Sequence, residues 1–224
     1  MHDSVGDRIL VFFCYVIIIL LCFIMIYPFW DQFIMSVSTR QAALVGGFRL
    51  WTWPLSDVGY KFVLGSRELG LAALNTLFRV TAGTLWTVVI TALTAYPLSR
   101  KDLPFKQALT GFFVFTMFFS GGLIPTFLWI KQLGLINNRL VLILPGIAAY
   151  YLVIIRNFFM GMPQELTEAA QIDGADDLTL WWRIVMPLSL PIIATIALWT
   201  AVGHWNAYFD ALIYMTDRSK YVLQ

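Results

Sequence analysis

The sequence predicts an all-α integral membrane protein, and three observations carry that prediction. Hydrophobic residues make up 59% of the 224 residues and charged residues 12%, against roughly 45–50% and about 25% in a soluble domain. Mean hydropathy is +0.76. The apolar residues also gather in five runs, most of them near the roughly 20 helical residues that cross about 30 Å of hydrocarbon. So few charges cannot cover a soluble surface, which excludes a soluble enzyme and a disordered tail. A formal net charge of +2 excludes a nucleic-acid binder, which needs a basic surface to neutralise phosphates.

The first run, Ile9–Trp30, is 22 residues without a formal charge. It is too long for the apolar part of a signal peptide, Asp3, Asp7 and Arg8 give a mixed N-terminal charge, and no small-residue cleavage site follows. Cys14 and Cys22 lie in this run, and eight residues of helix separate them by about 12 Å, beyond disulfide reach. They read as small apolar side chains. A polar external connection, 31–68, follows, with Trp51, Trp53 and Tyr60 suited to the membrane interface. Leu69–Leu98 is the second span, interrupted only by Arg79. Phe105–Ile130 is the third, and it contains Gly121, Gly122 and Pro125. These residues suit a kink or close packing, or a broken helix lining a pore. Leu140–Ile155 is the fourth, short but extendable through 157–162. Leu188–Phe209 is the fifth.

Residues 1–8 thus form an N-terminal tail, 69–216 a core of four spans, and 217–224 the start of a further external loop. That last stretch does not read as a finished C-terminus, and a fragment is expected. Five spans place the termini on opposite sides. The count of Lys and Arg in the connections does not decide which side is inside; only the cluster Arg100, Lys101 and Lys106 favours the inside.

One polar stretch has internal order. Pro163 suits the first position of a helix, and Glu165 and Glu168 fall near the positive end of its dipole. Leu166, Ala169, Ala170 and Asp173 share a face, and Gly174 stands where a helix ends in the left-handed conformation. Asp176 or Asp177 is placed to cap a second short helix through Trp181, Trp182 and Arg183, which Pro187 closes. An ordinary interfacial connector and a docking element are both open readings; the paired alanines favour docking, because they let another backbone come close.

Glu168-Ala169-Ala170-x-x-x-Gly174, followed after nine residues by Ile184-x-Met186-Pro187, resembles the cytoplasmic E-A-A loop of binding-protein-dependent ABC import permeases. Met186 stands where that family usually has leucine. Ala170-Gln171-Ile172-Asp173-Gly174-Ala175 resembles the carbohydrate, maltose-type branch. Ala95 to Lys101, Phe118 to Pro125, Leu144-Pro145-Gly146, Arg156-Asn157-Phe158-Phe159 and Gly203-His204-Trp205-Asn206 resemble permeases for polysaccharide-derived oligosaccharides. The resemblance implies a type I ABC importer transmembrane domain in a bacterial cell membrane, with a cytoplasmic N-terminus and six helices, the sixth lying beyond residue 224. It implies a coupling loop at 163–187, with Glu165, Leu166, Glu168, Ala169, Ala170, Asp173, Gly174 and Pro187 meeting the ATPase. It also implies a second permease subunit, an ATPase dimer and an extracellular solute-binding protein as partners, with membrane lipid around the chain.

No G-x-x-x-x-G-K-[ST] motif occurs in the sequence, so ATP belongs to a separate subunit, and no cofactor is expected. Arg79 costs roughly 2.5–3.5 kcal/mol at mid-bilayer, so it either pairs inside protein or snorkels outward. Asn75 lies one turn away on the same face. His204, Asn206 and Tyr208, with Trp205 and Asp210, form a polar-aromatic group near the outer end of the fifth span. This mixture suits a sugar path through hydroxyl hydrogen bonds and ring stacking; bonding across to neighbouring helices is the other reading. A lone histidine makes no metal site. Two rivals were weighed against the importer: a membrane-embedded enzyme on lipid-linked sugars, which needs paired carboxylates or a metal, and a secondary transporter, which needs several buried ionisable groups. An importer permease for a non-carbohydrate solute is the nearer alternative.

Overall fold

The computed structural model describes residues 5–45, 47–144 and 146–224. Residues 1–4 of the N-terminal tail and Pro145 of the Leu144-Pro145-Gly146 motif lie outside the described residues. The chain divides into two compact units, Met1–Arg67 and Glu68–Gln224.

In the first unit, α1 spans Val5–Ser36, and nearly all its apolar side chains from Ile9 to Phe33 are exposed, whereas Ile34 near its end is buried. An all-round apolar helix has lipid as its solvent. It runs past Trp30, so the start of the expected polar connection is helical. The rest of that connection is ordered too. Helix α2 (Arg40–Leu44) is capped by Thr39, and Arg49 closes its other end, donating to the carbonyls of Ala42 at 2.9 Å and Ala43 at 3.3 Å. Tyr27 stacks on Phe48 and accepts from the Arg49 N–H at 2.8 Å. Trp30 donates to the Leu50 carbonyl at 3.0 Å. Helix α3 follows at Val58–Gly65.

In the second unit, α4 runs Arg67–Ser99 and buries Asn75, Arg79, Gly83, Thr87, Thr91 and Ala95. These six residues recur every fourth position, so each lies over the next in a stripe that winds gradually around the helix. The stripe is small and polar, which permits close approach in a membrane.

The third expected span is broken: α5 (Lys106–Phe118) and α6 (Leu123–Gln132) meet at 114°. Gly122, at φ +84, makes the turn, whereas Pro125 sits in the first turn of α6, where its missing N–H costs nothing. The fourth span differs from Leu140–Ile155. Arg139–Leu142 is a short 3₁₀ turn, and the helix proper, α7, runs Ala149–Met160. The physical reason lies between them, at Gly146, which approaches the Trp86 ring so closely that a Cβ there would lie 2.7 Å from Cδ1.

The loop that follows contains α8 (Gln164–Ile172) and α9 (Asp177–Leu180). Pro187 does not close α9 as expected. A π-helical turn, Trp181–Val185, leads into α10 (Met186–Leu188), and the chain bends only at Ser189 before α11 (Leu190–Asn206), 82° away. The wider turn gives room for the proline ring, which otherwise meets the carbonyl four residues back. Helix α12 covers Phe209–Tyr214.

One apolar core joins Ala92, Ala95 and Tyr96 of α4, Ile155 and Phe159 of α7, Leu180, Trp181 and Val185, and Ile193 and Ile196 of α11. A second joins Ile130 of α6, Val141, Leu142, Ala211 and Tyr214 of α12, Met215 and Val222. The polar stripe of α4 meets α11 at Gly83, where an added Cβ would come within 2.7 Å of His204 Nε2. Gly83→Leu should therefore displace the His204 ring or part the two helices, at an overpacking cost of about 1–3 kcal/mol. Thermal unfolding in detergent tests this, and an unchanged midpoint would show that the close approach carries no weight.

Candidate functional site

Helix α8 begins after Pro163, which occupies the cap position rather than the first helical turn. Glu165 lies in that first turn and opposes the helix dipole. The helix ends in a Schellman turn: the Ala175 N–H bonds the Ala170 carbonyl at 2.9 Å and the Gly174 N–H bonds Gln171 at 3.0 Å. Gly174 has φ +84 with open space around it. This is the left-handed geometry that a glycine accepts without penalty. Of the residues on the shared face, Ala170 packs with Ala175 against the core, while Leu166, Ala169 and Asp173 are exposed, as are Glu165 and Glu168. Asp176, not Asp177, caps α9, accepting from the Thr179 N–H at 3.0 Å. Hydrogen bonding to Thr179 holds the Asp176 carboxyl below its ordinary value.

Asp177 has another partner. Arg100 donates through Nε and Nη2 to the two oxygens of Asp102 at 3.0 and 3.2 Å, and through Nη1 to Asp177 at 3.2 Å. The same guanidinium holds the Asp102 carboxyl below its ordinary value. Lys106 donates to the carbonyls of Ser99 at 3.0 Å and Arg100 at 2.6 Å, and Arg156 donates to that of Leu98 at 3.0 Å. The C-terminal carbonyls of α4, which lack helical partners, are thus satisfied by cations. A cleft of about 330 Å³ opens between this base and α8, lined by Tyr96, Arg100, Glu168 and Gln171 among others.

The other expected site residues fall at the break between α11 and α12. Arg79 is 3% exposed; it forms an ion pair with Asp210 and donates to the Ala207 carbonyl at 2.8 Å. It does not snorkel. Asn75 gives both amide hydrogens to the carbonyls of Ser219 at 2.8 Å and Tyr221 at 2.9 Å, and Thr76 accepts from the Leu223 N–H at 2.9 Å. Asn75 and Arg79, expected along a solute path, are hydrogen-bonded to protein groups. His204 is half-buried over Gly83, whereas Asn206 and Tyr208 are exposed.

Sequence reasoning missed the pairing of Arg79 with Asp210, which lie 131 residues apart. A signal existed: Arg79 is the one formal charge inside the second span, and Asp210 is the acidic residue directly after the fifth. Arg156 and the link from Arg100 to Asp177 had no sequence signal beyond a basic cluster. Among the described residues, no group of three or more His, Cys, Asp or Glu is placed to hold a metal ion.

A family model for the binding-protein-dependent transport system inner membrane component matches residues 69–217, which include α8 and the Arg79–Asp210 pair. The chain belongs to this family. The permease is 38% identical over 219 residues to the polygalacturonan/rhamnogalacturonan transport system permease protein YtcP of Bacillus subtilis, covering 97% of this chain and 77% of that one. It is 28% identical to the sn-glycerol-3-phosphate transport system permease protein UgpE of Yersinia pestis, covering 92% and 77%. A crystal structure of a bacterial ABC transporter involved in the import of the acidic polysaccharide alginate superposes with a TM-score of 0.95 at 30% identity, over 100% of this chain and 80% of that one.

The permease is therefore a multi-pass membrane component of an ABC importer and not an enzyme. Members of the family work with another permease, an ATPase and a binding protein, and such subunits generally need no cofactor. Asn75→Ala removes the two donors that tie Ser219 and Tyr221 to α4, at about 0.5–1.5 kcal/mol for each hydrogen bond lost. Faster amide exchange at Tyr221 to Leu223, with α7 unchanged, is the expected result.

Proposed function

We propose that this permease carries oligosaccharides derived from polysaccharides and couples their movement to ATP hydrolysis through α8 and Gly174. The observation that supports coupling is the exposure of α8. Leu166 and Ala169 form an apolar face beside Glu165, Glu168 and Asp173, on a loop whose backbone is fixed at Gly174 and whose Ala170 is anchored in the core. An exposed, rigid, small-residue face suits insertion into a groove of an ATPase subunit. The N-terminus then lies in the cytoplasm of a bacterial cell, with a second permease, two ATPase copies and an external solute-binding protein completing the complex. Pro187 contributes by shaping the π turn behind α9 rather than by touching the ATPase. The sugar reading draws on the names of the Bacillus subtilis relative and the alginate importer. His204, Asn206 and Tyr208, beside Trp205, are assigned to the solute path, where amide and hydroxyl groups bond sugar hydroxyls and rings stack on apolar sugar faces. The glycerol-phosphate relative favours a second reading, a smaller phosphorylated solute.

Gly174→Val places a β-branched side chain at positive φ, costing about 1–2 kcal/mol locally, and redirects the chain into α9. It should leave the subunit in the membrane but abolish sugar uptake and the stimulation of ATP hydrolysis by loaded binding protein. Glu168→Ala should weaken ATPase association less, because Leu166 and Ala169 remain. The measurement is ATPase activity and uptake by reconstituted complexes, supplied in turn with oligogalacturonides and glycerol phosphate. Full stimulation in Gly174→Val would falsify the coupling reading, and uptake of glycerol phosphate alone would replace the sugar.

A further inference from the structure

The break between α11 and α12 has a feature that the transport reading does not use. Helix α11 ends at Asn206, Ala207 is extended, and α12 starts at Phe209 without a side-chain cap. One guanidinium, that of Arg79 on α4, holds both sides of this break. It donates to the Ala207 carbonyl at 2.8 Å and pairs with the Asp210 carboxylate in the first turn of α12. Asp210 in turn accepts from the Ala211 N–H at 2.9 Å. The arginine is buried, and the two residues nearest the break that face outward are Asn206 and Tyr208.

We infer that Arg79 and Asp210 are positioning residues, which set where Asn206 and Tyr208 stand in the solute path without touching the solute themselves. The inference rests on the assignment of that path. Its chemistry is specific to a forked cation. An extended residue between two helices leaves carbonyls and N–H groups without helical partners, and within a membrane such groups need protein partners. Planar guanidinium satisfies a carbonyl and a carboxylate at once, and its geometry fixes their separation. A lysine ammonium keeps the charge but not the fork. Because α4 supplies the cation, the direction of the Tyr208 segment follows α4 rather than α11 alone. His204 meets the same face of α4 one turn further along, at Gly83. Both contacts bring the α11 end of the path against one helix.

The test uses the assembled importer with Cys14 and Cys22, both free and exposed, replaced by alanine. Single cysteines are placed at Asn206, Tyr208 and, as a control, Leu198, and are labelled with a membrane-impermeant maleimide. Arg79→Met with Asp210→Leu exchanges the pair for apolar side chains of similar volume, a change that packed cores tolerate. In that background, labelling at 206 and 208 should change by about tenfold, the scale of coupling between contacting residues, with the control unchanged. Asp210→Glu alone, which keeps a carboxylate opposite Arg79, should keep the wild-type labelling pattern. If the double variant does not assemble, Arg79→Lys carries the test and should shift labelling in the same direction by a smaller factor. Unchanged labelling in whichever variant assembles overturns the proposal. Sugar moved per ATP hydrolysed is read in parallel: a fall in that ratio supports a displaced wall of the path, and an equal fall in both rates marks a merely structural pair and also overturns it. Labelling needs no solute, so a wild-type complex that moves no oligosaccharide sinks the substrate reading without touching this one.

Discussion

Every interruption of a helix in a membrane leaves backbone carbonyls that hydrocarbon cannot satisfy, and this constraint organises the second unit. Helix α4 ends at Ser99, and Arg156 and Lys106 reach the carbonyls of Leu98, Ser99 and Arg100. Helix α11 stops before Ala207, and Arg79 reaches that carbonyl. The short 3₁₀ turn at Arg218–Lys220 and the extended Tyr221 after it are held by Asn75. In each case a side-chain donor does what the next helical turn would have done. The polar side chains inside this apolar chain are few, and their partners are largely main-chain breaks.

The loop from α8 to α9 solves the same problem without long side chains. A Schellman turn at Gly174 closes the end of α8 with two internal bonds, and Asp176 caps α9 two residues later. The loop can stay exposed because its backbone needs nothing from outside. Its exposed residues are then free to meet a partner, while Ala170 and Ala175 pin it to the core below.

Composition and motif made the membrane class, the two-helix loop and the left-handed glycine legible, because each depends on local chemistry. The long helices α1 and α4 were legible for the same reason, as continuous apolar runs. Two things were not. The fourth span was read from hydropathy alone, which does not distinguish a helix from an apolar stretch broken at Gly146; only the packing of Gly146 on Trp86 shows why the chain turns there. Pro187 was read as a stop because a proline normally ends an α-helix, and the π turn ahead of it is a tertiary accommodation with no local signature. The partners of Asn75 and Arg79 were not legible for a related cause. A polar residue in a span signals a partner, but its spacing along the sequence does not say whether that partner is a solute or the protein's own backbone.

These contacts give α4 a mechanical position that no single motif conveys. Just past its C-terminal end, Arg100 grips Asp177 at the start of α9, next to the coupling loop. Arg79, 21 residues earlier and so about 31 Å away along a helix, grips the break beside Asn206 and Tyr208. That distance is close to the thickness of the hydrocarbon core. The stripe between the two grips is made of glycine, threonine and alanine, side chains short enough for a neighbouring helix to come close, as α11 does where His204 sits over Gly83. One helix thus carries both ion pairs, and the packing of its stripe fixes the position of each relative to the other.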